Sequence, residues 1–219
     1  MAAAFYFYLL GEKTAVMQSN SPQIDLQCQR VIWGVAQQLQ QMGNCIDVVA
    51  GMNNLSAIID PRRQSAAAML ETLQFLAANT EALDFEPRRI DIPVRYGGEF
   101  GPDLEHVAEH CRLSPDEVIK MHSQAEYLVY FLGFQPGFAY LGGLPQQLHT
   151  PRRAEPRLKI EAGSVGIGGS QTGVYPAASP GGWQIIGRTT LALFNPRQNP
   201  PTALQAGDIV RFVIEREYA

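Results

Sequence analysis

Apolar positions in the first third of the chain fall into two alternating registers, one suited to strands and one to helices. Phe5–Leu9 and Thr14–Gln18 are short apolar runs around the turn Gly11-Glu12-Lys13, which predicts a strand pair. Cys28, Val31, Ile32, Val35, Leu39 and Met42 then recur largely at three- and four-residue steps, predicting a helix with one buried stripe that ends at Gly43-Asn44. Ser21-Pro22 reads as its start, with Ser as N-cap and Pro in the first turn. Ile46–Ala50 and Leu55–Ile59, joined by Gly51–Asn54, predict a second strand pair. Gln64–Ala78 follows as a second helix with Ala66, Leu70, Leu73 and Ala77 on one face. Two hairpins, each followed by a helix, make a small α+β layer.

Near residue 87 the pattern changes. Ile90, Ile92, Val94 and Tyr96 alternate with Asp91, Pro93 and Arg95, the signature of a half-buried strand. Asp103 reads as the N-cap of a helix to Cys111. Ser114-Pro115-Asp116-Glu117 is a capping box opening another helix to about His122. From Glu126 onward no helical period remains. Short apolar runs punctuated by Gly and Pro continue to Ile209–Ile214, which predicts a closed or nearly closed β barrel. The expected organisation is a small α/β domain over residues 1–87 and a β-barrel domain over 88–219.

Bulk properties narrow the function classes. With 219 residues, 46% hydrophobic and 17% charged, the chain has the composition of an ordinary globular protein. Seventeen basic and 21 acidic side chains give a net charge of −4, which supplies no reason to expect nucleic acid or an anionic membrane as partner. Cys28, Cys45 and Cys111 are odd in number and lack CxxC spacing, which suits a reducing cytoplasm better than a disulfide scaffold. Residues 2–10 are apolar but too short to span a bilayer, and no basic segment precedes them.

Candidate chemistry concentrates between Phe131 and Arg188. Twelve of the 20 glycines lie from Gly133 to Gly187, and no charged residue stands between Glu161 and Arg188. The same run carries Phe134, Phe138, Tyr140, Val165, Ile167, Tyr175 and Trp183, so it reads as a shaped apolar surface rather than a solvated linker. The common signatures fail here. There is no P-loop, Gly166-Ile167-Gly168-Gly169 does not continue as a dinucleotide fingerprint, and Ser164 misses the nucleophile elbow by one place. His106-Val107-Ala108-Glu109-His110 matches the HxxEH zinc pattern, but no third ligand follows and a solvated helix accounts for it; no metal is expected.

More informative is the cation cluster His149, Arg152, Arg153, Arg157 and Lys159 beside the Gly-rich run. Arginine forks match phosphate and carboxylate oxygens, and a histidine transfers protons near neutral pH. His149, Arg152 and Arg153 are the catalytic candidates, against the plainer reading of a solvated loop pairing with acidic partners. Gln171 and Thr172 between glycines present an amide and a hydroxyl for an oxyanion cradle, unless they only satisfy a tight barrel turn. Glu161, Ser164, Gly168, Gly169, Gln171, Thr172, Gly173 and Tyr175 are the binding candidates.

Five segments together carry a family resemblance: residues 91–104 (DIPVRYGGEFGPDL), 131–145 (FLGFQPGFAYLGGLP), 150–157 (TPRRAEPR), 162–176 (AGSVGIGGSQTGVYP) and 179–189 (SPGGWQIIGRT). Together with GMNNL at 51–55, they closely resemble the family of bacterial 5-oxoprolinase B subunits, also described as allophanate hydrolase subunit 1 and as a histidine kinase inhibitor. Ala139, where that family usually has Pro, and the variable position Ser170 are departures outside the proposed chemistry. The resemblance implies a cyclophilin-like β barrel after the N-terminal domain. It further implies work in a complex with 5-oxoprolinase subunits C and A, ATP as co-substrate, cleavage of 5-oxo-L-proline to L-glutamate, and inactivity of this chain alone. Two other functions share the motifs, a kinase-inhibiting regulator and an allophanate- or urea-type carboxyltransferase-related subunit.

Overall fold

The computed structural model describes residues 5–21, 24–83 and 86–215. Ala2–Ala4 of the apolar N-terminal run and Pro22 of the expected first helix lie outside them. The chain divides into two units, Met1–Glu86 and Pro87–Ala219.

In the first unit, strands β1 (Phe5–Leu10) and β2 (Thr14–Ser19) form the first hairpin. Helix α1 (Leu26–Met42), β3 (Asp47–Ala50), β4 (Asn54–Ile58) and helix α2 (Ala66–Asn79) follow. The four strands make one antiparallel sheet in the order β1-β2-β4-β3. Ile32, Val35 and Leu39 of α1 and Met69 and Leu73 of α2 are fully buried with Met17, Leu55 and Ala57 of the sheet. Each of these side chains larger than Ala57 contributes roughly 1.5–3 kcal/mol on leaving water. The expected start of α1 is corrected: its N-cap is Asp25, whose carboxylate accepts from the N–H groups of Gln27 and Cys28 at 2.8 and 3.1 Å, not Ser21. An ionised carboxylate at an N-terminus accepts stronger hydrogen bonds than a serine hydroxyl, and Asp25 is closer to the buried stripe. Met42, expected in that stripe, is exposed in the last turn before Gly43.

The second unit is a barrel closed by β10-β7-β6-β13-β5-β12-β9. Its strands are β5 (Arg89–Tyr96), β6 (Tyr127–Leu132), β7 (Ala139–Gly142), β9 (Ser164–Gly168), β10 (Gln171–Val174), β12 (Gln184–Arg188) and β13 (Ile209–Ile214). The remaining strands, β8 (Arg157–Ile160) and β11 (Ser179–Gly181), pair with each other outside the barrel. Closure joins distant sequence: β13 runs parallel to β5, pairing Ile209–Ile214 with Arg89–Val94. Helices α3 (Leu104–Cys111) and α4 (Pro115–Gln124) form the connection between β5 and β6. At α4 the capping box is complete, with the Ser114 N–H donating to Glu117 Oε2 at 2.7 Å and the Glu117 N–H to Ser114 Oγ at 3.3 Å. The architecture is therefore an α+β unit followed by a closed β barrel, as the patterning predicts.

Side chains fill the barrel, as expected for a small one. Val129, Leu141, Val165, Ile167, Ile186, Val210 and Phe212 are buried in its core. Among them sits a fully buried histidine, His122, stacked on Phe212 with ring centroids 4.5 Å apart. Tyr96 Oη lies 2.8 Å from His122 Nδ1, and His122 Nε2 lies 2.9 Å from Thr172 Oγ1. The Thr172 hydroxyl donates to Gly166 O at 3.0 Å. Since that carbonyl can only accept, the Thr172 oxygen accepts from His122, and Nδ1 accepts from Tyr96. Every proton in the chain is thus placed with a neutral imidazole. Burial pushes the His122 pKa down to about 3.

Candidate functional site

The site is organised by Asp103. This residue occupies the N-cap position of α3, yet its carboxylate caps nothing there. It is buried and turned instead toward the barrel, where the Ile185 N–H of β12 donates to Oδ2 at 2.6 Å. Arg157 donates through two nitrogens to both oxygens, at 2.8 Å each, and Arg153 donates to Oδ1 at 3.1 Å. The Arg153 N–H also donates to Gly182 O at 2.7 Å. One buried anion therefore holds two cations and ties the 151–157 loop to β12. The reading of Asp103 as a simple helix cap is corrected, because two guanidinium groups and a backbone donor outcompete the helix terminus for its lone pairs.

Arg152 is the cation this arrangement leaves free. Among the described residues no acidic side chain pairs with it, and its guanidinium lies over the Trp183 ring at 5.8 Å from the centroid, close enough for a cation–π contact. Two cavities meet at this side chain. The larger, of about 530 Å³, is walled by Asp103, His106, His110, Arg152, Arg153 and Gln184, and its volume is in the range of small-molecule sites. The smaller, of about 120 Å³, is walled by aromatic side chains, Pro180–Gly182 and again Arg152.

The polar wall of the larger cavity is incompletely satisfied. Gln184 Nε2 donates to Pro151 O at 3.0 Å, which fixes the amide orientation and leaves its buried Oε1 without a partner. Arg153 Nε is likewise buried and unpaired. Such groups are uncommon and destabilising, and they cluster at sites shaped for something other than stability.

The aromatic wall shows why the segment needs glycine. Phe138, Tyr175 and Trp183 pack edge to face, with Phe138 at 5.5 Å from both partners. A Cβ on Gly168 would lie 2.5 Å from the Trp183 indole, and one on Gly181 would lie 2.6 Å from Tyr175 Oη. The strands thus leave slots for large rings. Burial holds the Tyr175 hydroxyl above its ordinary pKa, opposed by a backbone hydrogen bond from Trp183 and the charge of Arg152. Phe134 stands at the rim, 60% exposed, with a positive φ of 66°. That conformation costs a bulky residue energy and points to a role beyond packing.

Of the residues expected from sequence, Arg152, Arg153 and Tyr175 line these cavities. His149 does not; it ends a short 3-10 turn (Gln146–Leu148) with Nε2 3.3 Å from Leu144 O. Glu161 is exposed and paired with Lys159 at 2.8 Å, which lowers its pKa. Ser164 is buried in β9, and Gln171 and Gly173 pair with Gly168 and Gly166 across the β9–β10 hairpin. The oxyanion cradle does not form. The Gly169 N–H already donates to Thr150 O at 2.7 Å, and Thr172 is buried against His122. The tight barrel turn consumes those donors.

His106 and His110, expected to be solvated, are both exposed on α3 and line the larger cavity. The signal was present: Asp103, His106 and His110 are spaced by three and four, which puts them on one helix face. Among the described residues no group of three or more His, Cys, Asp or Glu is placed to hold a metal ion. No helix among them is long and apolar enough to cross a membrane.

Comparison with known proteins agrees with this architecture. Residues 5–204 match the family described as carboxyltransferase domain, subdomain C and D. The chain is 55% identical over 210 residues to the 5-oxoprolinase B subunit of Escherichia coli, covering 96% of each. It is 51% identical to the 5-oxoprolinase B subunit of Haemophilus influenzae, covering 93% of this chain and 95% of the relative. In fold it resembles the crystal structure of TTHA0988, with a TM-score of 0.82 and 33% identity over 94% of this chain. It spans only 40% of that longer chain. The family match over nearly the whole length, and relatives above half identity, show that this chain belongs to the carboxyltransferase-domain (subdomain C and D) family, among the B subunits of 5-oxoprolinase.

Proposed function

We propose that the chain is the B subunit of an ATP-dependent 5-oxoprolinase that opens 5-oxo-L-proline to L-glutamate in the cytoplasm. In this reading it works in a complex with subunits C and A and is inactive alone. The observation that carries the reading is 55% identity across 96% of the Escherichia coli 5-oxoprolinase B subunit. The resemblance to TTHA0988, of which this chain spans 40%, supports a partner polypeptide completing the working unit.

The chemistry asks for what the cavities offer. A lactam carbonyl is a poor electrophile because its nitrogen lone pair is delocalised into it. Transfer of the terminal phosphoryl group of ATP to the lactam oxygen activates the ring carbon. Water then adds to that carbon, the ring C–N bond breaks, and the nitrogen leaves as an amine. Hydrolysis of the resulting acyl phosphate by a second water releases phosphate and L-glutamate. Catalysis of phosphoryl transfer is mostly positioning and charge stabilisation. Arg153, His106 and His110 around one cavity of about 530 Å³ have the donors for phosphate oxygens, and Arg152 stands on the wall it shares with the smaller cavity. His149 and the Gly168–Gly173 hairpin, outside the cavities, are not assigned a part.

The test is reconstitution of the chain with subunits C and A, following glutamate released from 5-oxo-L-proline and ATP. Loss of activity when this chain is omitted supports the proposal. Unchanged activity on omission contradicts it.

A further inference from the structure

The smaller cavity carries more information than its size suggests. It lies beside the larger one, shares Arg152 with it, and differs from it in every other wall. Phe134, Phe138, Tyr140, Tyr175 and Trp183 surround about 120 Å³, under a quarter of the larger cavity's 530 Å³. Of the two, this is the space that suits one small ring. The walls offered to it are aromatic, so they suit a small ring with apolar faces and leave its polar edge to groups at the mouth. The only charged group of the wall is the Arg152 guanidinium, already held against Trp183 and free of acidic partners among the described residues. A planar cation with unused donors at the mouth of an apolar pocket selects a carboxylate on the ring it admits. Phe134 supplies an independent indication. An exposed phenylalanine held at φ 66°, edge-on to Phe138 and Tyr175 at 5.4 and 6.3 Å, is strain placed at the rim of this pocket.

We infer that the aromatic pocket is the subsite for the five-membered ring of a cyclic amino acid, with Arg152 binding its carboxylate and Phe134 closing over the ring. Resting on the 5-oxoprolinase reading, this assigns the oxoproline to the aromatic pocket. The cavity of His106, His110 and Arg153 is then left for the phosphoryl donor. Arg152, at the shared wall, sets the distance between the two. The residues of this subsite act by binding and orientation, and the proton transfers are left to groups outside it.

The assay is steady-state kinetics of the complex reconstituted with subunits C and A. 5-Oxo-L-proline and ATP are varied separately, and the neutral carboxamide of 5-oxo-L-proline serves as competitor. Arg152→Ala is expected to raise KM for 5-oxo-L-proline roughly 10- to 100-fold, the loss of one charge-assisted contact. The KM for ATP should move far less. Wild type should prefer the acid over its carboxamide, and Arg152→Ala should lose that preference. Phe134→Ala should raise the same KM without altering the acid-to-carboxamide preference. Both side chains are exposed, so folding is not at issue. Three results overturn the inference: an unchanged KM for 5-oxo-L-proline in both variants, an effect confined to ATP, or a carboxylate preference that survives Arg152→Ala. If instead subunits C and A turn over 5-oxo-L-proline equally well without this chain, the 5-oxoprolinase reading itself fails and takes the subsite with it.

Discussion

Asp103→Asn isolates the anchor of the site with almost no change of shape. The carboxylate accepts four hydrogen bonds, from Ile185 N–H, twice from Arg157 and once from Arg153. An amide keeps one acceptor oxygen. If that oxygen stays on Ile185 N–H and one Arg157 nitrogen, its NH2 group faces the other Arg157 nitrogen and Arg153, donor against donor. Breaking a fully buried ion pair costs about 3–5 kcal/mol. Here the carboxylate side chain is 6% exposed, but Arg157 and Arg153 are 27% and 35% exposed and recover part of the loss from water. We therefore expect a loss of about 2–3 kcal/mol, or roughly 10 °C in the melting transition of the 87–219 unit. Differential scanning calorimetry measures it, and Arg157→Ala completes a double-mutant cycle. Because both variants break the same contact, the double variant should be less destabilised than the sum of the singles. A shift below about 2 °C, or strict additivity, would refute Asp103 as the anchor.

Two further predictions concern the barrel. His122 has a folded pKa of about 3 against 6.5 unfolded, so the unfolded chain takes up the proton first. Its contribution is complete above pH 6.5 and is lost as pH falls toward 3. Between pH 7 and pH 5, urea unfolding should show wild type losing roughly 2 kcal/mol more than His122→Gln; equal losses would show that this histidine is not neutral in the fold. Gly168→Ala places a methyl group where the Trp183 indole now lies, 2.5 Å away. It should cost about 1–3 kcal/mol and change the near-ultraviolet dichroism of Trp183; an unaltered spectrum and melting temperature would mean the glycine is dispensable.

What the sequence made legible was local. The stripe Cys28, Ile32, Val35 and Leu39 is buried where its period puts it, and the Ser114–Glu117 box closes as its spacing requires. Both depend on neighbours within a few residues. Asp103 shows the opposite case. Its backbone position at a helix start was readable, but its partners Arg153 and Arg157 lie 50 and 54 residues away, and no local pattern announces them. The choice between the two readings of Thr172 is equally non-local, since His122, 50 residues earlier, claims its hydroxyl inside the barrel. Ser21-Pro22 carries a strong local start signal, whereas the point at which the helix begins, at Asp25, is set by where the chain reaches the core. Glycine density correctly marked a surface built for close approach. That the approaching groups are the Trp183 indole at Gly168, the Tyr175 hydroxyl at Gly181 and backbone carbonyls at Gly143 and Gly163 became visible only in three dimensions.

On the proposed function, Arg152 is a working group of an assembled complex. The measurement is a titration of fixed subunits C and A with this chain, recording glutamate formation. Wild type should raise the rate to a plateau at stoichiometric addition. Arg152→Ala should assemble with the same stoichiometry, support little turnover at low 5-oxo-L-proline, and lower the rate when added in competition with wild type. An Arg152→Ala chain that restores the full wild-type rate under those conditions would contradict the account.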